Sequence, residues 1–240
     1  MRRSMNKNIK LALTLAAALI TILMSVLTIL EIKNPGVEEQ KTRIVGFENK
    51  TNVQYQVFLK PNPLYEETSL GEDKLYLTSF VDYIKTNFQY NFNIERPTDI
   101  KGDYEISAIV EGYTNEEEKI KTIWRKSFVI TPKTSFEVKD VQLAMNKEIT
   151  FSPATYESFA TQISEATKLN IPVKVTVAMN INLQAVIEGQ QINRSFAPVI
   201  TIPLNNSYFE VAKSGIDDMN EAIEDTKQIA LPVNKKLIAI

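Results

Sequence analysis

Ser152, Ser158 and Lys168 come nearest, among the residues of this chain, to a set that could do covalent chemistry. A serine hydroxyl beside a lysine amine is a nucleophile with its own base and needs no histidine. Their spacing argues against that use. Ser152 directly precedes Pro153 and fits an N-cap followed by the first residue of a helix. Ser158 falls inside the same helical stretch and Lys168 at its solvated end, and the three match no recognised catalytic constellation. A second cluster, Glu116-Glu117-Glu118, offers carboxylates. A calcium loop interleaves Asp, Asn and Gly ligands, so an uninterrupted acidic run fits a solvated loop tip better.

Two absences narrow the chemistry further. The chain has no histidine, which removes the commonest general base and metal ligand, and no cysteine, which removes disulfides and thiolate metal sites. No catalytic, cofactor-binding or metal-ligating residue is therefore assigned, and no cofactor is expected. A hydrolase using carboxylates or a Ser/Lys pair stands as an alternative behind two non-enzymatic readings.

The stretch that positions everything else is 11–30, LALTLAAALITILMSVLTIL, twenty residues without charge, proline or glycine. As a helix it spans about 30 Å, the hydrocarbon thickness of a bilayer. Arg2, Arg3, Lys7 and Lys10 precede it and a mixed-sign segment follows, so the bias of basic residues puts residues 1–10 in the cytoplasm and the rest outside. A cleaved secretory signal is the rival reading, but its apolar region is shorter and ends on small residues, which Thr28-Ile29-Leu30-Glu31-Ile32 does not supply. The expected location is thus the cell membrane, single-pass, with the bilayer itself as partner of residues 11–30.

The composition, 44% hydrophobic and 23% charged, is that of a folded globular chain. All 29 acidic residues lie after residue 30, against 23 of the 27 basic ones, giving the exposed part a net charge of −6 and making nucleic acid an unsuitable partner. Residues 31–50 show no sustained period and are read as a juxtamembrane spacer. Residues 51–240 are read as an extracytoplasmic β-rich domain, with a subdomain boundary possible at 132–152.

Within it, Val53, Tyr55, Val57 and Leu59 alternate with polar residues up to Pro61-Asn62-Pro63, the pattern of a half-buried strand. Residues 75–85 have helical spacing at Leu77, Phe80, Val81 and Ile84. Phe88, Tyr90, Phe92 and Ile94 form a second alternation; 104–110 and 120–130 are strands joined by a hairpin loop over 112–118, with Trp124 as a core anchor. Phe136 and Val138 make a short strand, and a helix follows Ser152 with Tyr156, Phe159, Ala160, Ile163 and Thr167 on one face. Val173 to Gln184 reads as the longest strand, turning through 188–191 into a strand over 192–202, and 217–228 reads as a short helix. Strands with one apolar face must pack against something, so the expected fold is mainly β: a two-layer antiparallel sandwich with one or two short helices, preceded by a single transmembrane helix. Glycosylation sequons occur at Asn49, Asn193 and Asn205.

The segment Tyr55 to Tyr65 (YQVFLKPNPLY), then Tyr76-Leu77, Val81-Asp82-Tyr83-Ile84 and Phe88-Gln89-Tyr90-Asn91-Phe92, resembles DUF5305, a prokaryotic family of unknown function. Tyr104 to Phe128 fits the strand-hairpin-strand continuation of that family. The resemblance implies an N-terminal anchor, an extracytoplasmic β-rich region and a second membrane helix near the C-terminus. Anchor, strands and missing catalytic chemistry together lead to the expectation of a non-enzymatic interaction or assembly module at the cell surface, with a protein partner or self-association. The alternative is an accessory or sensor ectodomain that binds a ligand or a membrane partner. One surface is singled out: Val173 to Gln184, whose outer face carries only Lys174 as a charge, would accept a partner strand if it lay at a sheet edge and not inside the sheet.

Overall fold

Even-numbered positions from Ile84 to Gly112 carry the chain's most sustained apolar alternation, and one long bent strand is built on it. The computed structural model describes residues 7–33, 37–116 and 119–230. In chain order its elements are α1 (Lys7–Lys33), β1 (Val37–Leu59), β2 (Ser69–Leu70), β3 (Tyr76–Leu77), a 3-10 turn (Thr78–Phe80), β4 (Val81–Glu116), β5 (Lys119–Phe151), α2 (Pro153–Thr167), β6 (Val173–Ile187), β7 (Gln190–Phe196), β8 (Val199–Leu204), β9 (Tyr208–Phe209), β10 (Ala212–Ser214) and β11 (Asp218–Ala230).

β4 organises the sheet because it serves three neighbours. One of its edges pairs with β1 from Leu59↔Val81 to Phe47↔Ile94, then with β6 from Ile100↔Ala185 to Gly112↔Val173. Its other edge pairs with β5 along both stretches. The change of partner falls at Arg96-Pro97, where proline has no N–H to give and the β4–β5 register shifts. Side chains take over the bonds the ladder loses there. The Glu95 carboxylate accepts the Gly46 N–H at 2.9 Å, the Thr98 hydroxyl donates to the Val186 carbonyl at 2.7 Å, and Arg96 pairs with Glu188 at 2.8 Å.

Bending β4 and β5 in this way makes two antiparallel layers with the even-numbered side chains of β4 between them. Ile84, Phe88, Tyr90, Phe92, Ile100, Ala108 and Val110 are fully buried. Tyr90 reaches the opposite layer, its ring 5.3 Å from that of Phe196 on β7, and Tyr76 lies 5.5 Å from Phe209 in the small β3–β9 sheet. β6 is internal: beyond β4 on one side, it meets β8 over 173–178 and β7 over 181–187 on the other. β7 and β8 keep one register against it, interrupted only at Ala197-Pro198, where the Pro198 carbonyl still accepts the Met179 N–H at 3.2 Å. α2 lays Pro153, Tyr156 and Ala160 on the core, with Phe159 against Phe128 and Trp124 of β5 at 5.2 and 6.1 Å. It ends on Lys168 in the left-handed conformation, ahead of Pro172.

Two units are distinguished by contact: Val45–Ile223, which contains this core, and a smaller one of 1–44 with 224–240. In the smaller unit α1 presents uncovered apolar side chains, and Lys41 pairs with Glu224 at 3.7 Å.

The mainly β, two-layer antiparallel fold with two helices agrees with the sequence reading; several local assignments do not. The segment read as spacer over 31–50 is strand from Val37, and Val45 and Phe47 are core residues, so the folded domain begins before residue 51. The boundary considered at 132–152 lies inside β5, which is continuous and paired to Phe151. Residues 75–85 form β3, a 3-10 turn and the start of β4 instead of a helix, because Tyr76 is drawn onto Phe209 and Val81 onto the β1 ladder. The 112–118 hairpin loop is strand to Glu116, with 117–118 outside the described residues. β4 and β5, not β6, are the longest strands, and 192–202 is divided between β7 and β8. The helix expected over 217–228 is β11, which lies beside β1 and, among its described side chains, buries Ile223 alone. Trp124 is half-buried under α2 and not a central anchor.

Two outcomes follow. A chain started at Lys50 discards Val45 and Phe47 and is expected to be about 3–6 kcal/mol less stable than one started before Val45, read from denaturant midpoints. Asn180→Pro on β6 removes a ladder donor from a strand paired on both sides, costing about 3 kcal/mol; an unchanged midpoint would contradict the internal placement.

Candidate functional site

The residues nominated for chemistry are not brought together. The Ser152 hydroxyl donates to the Asp82 carbonyl at 2.9 Å, pinning the start of α2 to β4. Ser158 and Lys168 are ten residues apart along α2 and its cap, about 15 Å by helical rise, so no serine–lysine pair forms. Among the described residues no cluster of His, Cys, Asp or Glu is arranged to hold a metal ion. Of the three sequons, Asn49 is fully buried and its Oδ1 accepts the Tyr90 hydroxyl at 2.8 Å, which leaves no room for a glycan; Asn193 and Asn205 are exposed.

Two surfaces remain. The first is an open cleft of about 800 Å³ between α2 and the loops before β4 and β9. Ser158 and Thr161 face Thr78 and Ser79 across it, and Asn205, Asn206 and Ser207 close one end. Its shape is fixed by the Thr78 hydroxyl donating to the Asn206 carbonyl at 2.6 Å and by the Thr78 N–H donating to the Ser207 carbonyl at 3.0 Å. Asn205 adopts the left-handed conformation with φ 61°. Glu157 is the one carboxylate in the lining. Such a surface can hydrogen-bond a polar ligand but holds no nucleophile within reach of a base.

The second is the outer edge of β5. Among the described residues β5 pairs with β4 alone, over its whole length. Ile120, Ile123 and Val129 are 62%, 47% and 61% exposed, an unusual density of open aliphatic side chains on a strand. The face that turns away from the core is organised in cross-strand rows. In one, Lys174 of β6, Glu111 of β4 and Arg125 of β5 stand opposite one another, and the Glu111 carboxylate also takes the Thr122 hydroxyl. In the other, Ser195 donates to Asn182 at 2.9 Å, Asn182 donates to Asp103 at 2.9 Å, and Lys133 approaches Asp103 at 3.1 Å. The Asn182 amide and the Lys133 ammonium hold the Asp103 carboxyl below the usual range by stabilising its ionised form.

Residues 124–240 match the model of a family of unknown function, DUF5305. Over that segment, just under half of its length, the chain is similar to DUF5305. No curated protein matches the chain. The DUF5305 match starts at Trp124 and takes in most of β5, then α2 and β6 to β11; of the residues that suggested the resemblance, only 124–128 fall within it, and the Tyr55–Phe92 motifs lie outside. The lining of the cleft is thus of mixed origin: α2 and the β8–β9 loop lie in the segment that matches DUF5305, and Thr78 and Ser79 precede it.

The sequence reading makes β6 an edge only if it is not an internal strand; the structure pairs it on both sides, and the free edge is on β5, which that reading does not single out. The signal that could have found it is the basic run Lys121, Arg125, Lys126, Lys133, since charged side chains concentrate on edge strands. The seat of this region is Gly112, where an added Cβ would collide with the Trp124 indole and lie 2.8 Å from the Ile171 Cδ1. Gly112→Ala is therefore expected to displace Trp124, shifting the single-tryptophan emission to the red and costing about 1–3 kcal/mol. An unshifted spectrum with unchanged stability would show that the indole does not rest there.

Proposed function

We propose that this protein is a membrane-anchored extracytoplasmic β-sandwich that acts as a non-enzymatic interaction or assembly module at the cell surface. The observation that carries the reading is α1: a 27-residue helix with a 21-residue stretch, Lys7–Leu27, long and apolar enough to cross a membrane, whose side chains are uncovered. Leaving that much aliphatic surface in water costs about 25 cal/mol per Å², which a bilayer removes. The basic residues ahead of it support a cytoplasmic N-terminus, with the β domain outside. An open edge on β5 supports interaction, because unpaired backbone groups beside exposed aliphatic side chains are a template for a further strand.

A second reading, a sensor or accessory ectodomain, is supported by the hydroxyl-lined cleft beside α2. A hydrolase built on Ser152 or Ser158 with Lys168 has no such support, because the residues are apart.

Protease added to intact cells after removal of the wall is expected to degrade the chain beyond residue 31 and spare a short membrane-embedded fragment. Protection of the β domain until the membrane is opened would reverse the topology, and release of an intact chain by alkaline carbonate would remove the anchor.

A further inference from the structure

The free edge of β5 has a defined register and a defined charge, and the two together specify what can pair with it. The Tyr113 N–H donates to the Pro172 carbonyl at 3.0 Å, so odd-numbered N–H groups at this end of β4 point toward β6 and even-numbered ones toward β5. The pairs Ala108↔Phe128, Val110↔Lys126 and Gly112↔Trp124 are then the hydrogen-bonded ones of the β4–β5 ladder. The backbone N–H and C=O groups of Arg125, Ser127 and Val129 face outward from the sheet. They belong to the stretch with the open aliphatic side chains.

Charge selects the occupant. From Lys121 to Lys133 β5 carries four basic residues and no acidic one, in an exposed chain of net −6. Lys133 is engaged by Asp103, but no ion pair holds Arg125 or Lys126 among the described residues, and both are exposed. Arg125 ends a row that alternates in sign from β6 through β4 to β5, Lys174–Glu111–Arg125, and the next strand out would continue it with a carboxylate. Lys126, the next residue, projects to the other face and asks for a second carboxylate beside the first. Two positions beyond Ser127, Val129 asks for an aliphatic side chain. A second copy of β5 meets these demands badly, since the segment from Lys119 to Lys133 has no carboxylate to set against Arg125 or Lys126 in any register.

We propose that β5 accepts, by strand addition along Arg125–Val129, an extended acidic segment of a partner protein that carries two adjacent carboxylates near an aliphatic residue. This rests on the reading of the domain as an interaction module and names the chemistry of its partner. Glu111 partly offsets the local charge, but it lies one strand further from the incoming chain and is already engaged by Thr122 and Lys174.

The test uses the full chain in detergent micelles and three synthetic Thr/Val decapeptides, with a central Glu-Glu, Lys-Lys or Gln-Gln. The Glu-Glu peptide is expected to bind at least tenfold more tightly than the Lys-Lys one in low salt, to weaken several-fold as salt rises, and to slow amide exchange at Arg125, Ser127 and Val129. Ser127→Pro removes an outward N–H and no bond to β4; it should abolish binding of the Glu-Glu peptide while leaving the unfolding midpoint unchanged. The double variant R125E/K126E should invert the preference toward the Lys-Lys peptide. Equal binding of all three peptides, binding that survives Ser127→Pro, or no exchange protection on β5 would overturn the proposal. So would self-association lost on Ser127→Pro, which would make a second copy the occupant. Each of these leaves the protease result on topology untouched, so failure of the edge and failure of the anchored-module reading are told apart.

Discussion

The structure depends on keeping one alternation in phase through a bend. Ile84, Phe88, Tyr90 and Phe92 before Pro97, and Ile100, Ile106, Ala108 and Val110 after it, are all even-numbered and all buried. A shift of one residue at the bend would turn one half of β4 inside out, since strand side chains alternate faces. The contacts around Arg96-Pro97 prevent that slip. Glu95, Arg96 and Thr98 fasten β4 to Gly46 of β1, to Glu188 and to Val186 of β6 respectively, so each half is registered against its own neighbour by a side chain as well as by the ladder. The bend is thus a junction with its own polar bonds, and the two layers follow from it.

The core that results is not purely apolar. Asn49, Thr51 and Thr86 are buried among aromatic and aliphatic side chains. Thr51 is fully used: its hydroxyl donates to the Gly215 carbonyl at 2.8 Å and accepts the Asp217 N–H at 2.7 Å, which ties the chain entering β11 to β1. Asn49 and Tyr90 hydrogen-bond each other, and burial pushes the Tyr90 hydroxyl well above its ordinary value, as it does that of Tyr76. The neutral phenols therefore contribute stability that is complete below about pH 10 and drains away above it, where the unfolded chain ionises and the folded one does not. Among the described residues the Asn49 amide nitrogen and the Thr86 hydroxyl have no hydrogen-bond partner, and such groups cost about 1–3 kcal/mol each unless water reaches them.

How much of this was legible follows from where tertiary contacts merely select a local pattern and where they override it. β6, α2 and the 88–94 part of β4 were readable because alternation or helical spacing, a cap and a proline stop all agree within each segment. Residues 75–85 and 217–228 misled because their apolar spacing is compatible with a helix while their pairing partners, Phe209 and β1, are distant in sequence. The strand that starts at Val37 is hidden within the 31–50 spacer reading because its outer part is charged and Val45 and Phe47 show themselves as core residues only once β4 is opposite. No candidate site could be read from motifs, since neither surface depends on one. The cleft is made by three separated stretches, and the edge is defined by which strand is left without a neighbour.

The two halves of β5 show that its exposure is not uniform. From Lys133 to Glu148 the strand is defended in the ways edge strands usually are: Lys133, Lys139, Glu137 and Glu148 are each held by an opposite charge on β4, and Pro132 breaks the row of donors at its start. Those fixed charges, paired inward, present any incoming chain with polar groups that must be stripped of water for no return. Between Ile120 and Val129 the same strand leaves three aliphatic side chains open, and Arg125 and Lys126 are in no ion pair among the described residues. A strand that protects one end of its edge and leaves the other available has the asymmetry needed to fix both the register and the direction of whatever pairs with it, because only one placement matches charge with charge and aliphatic with aliphatic.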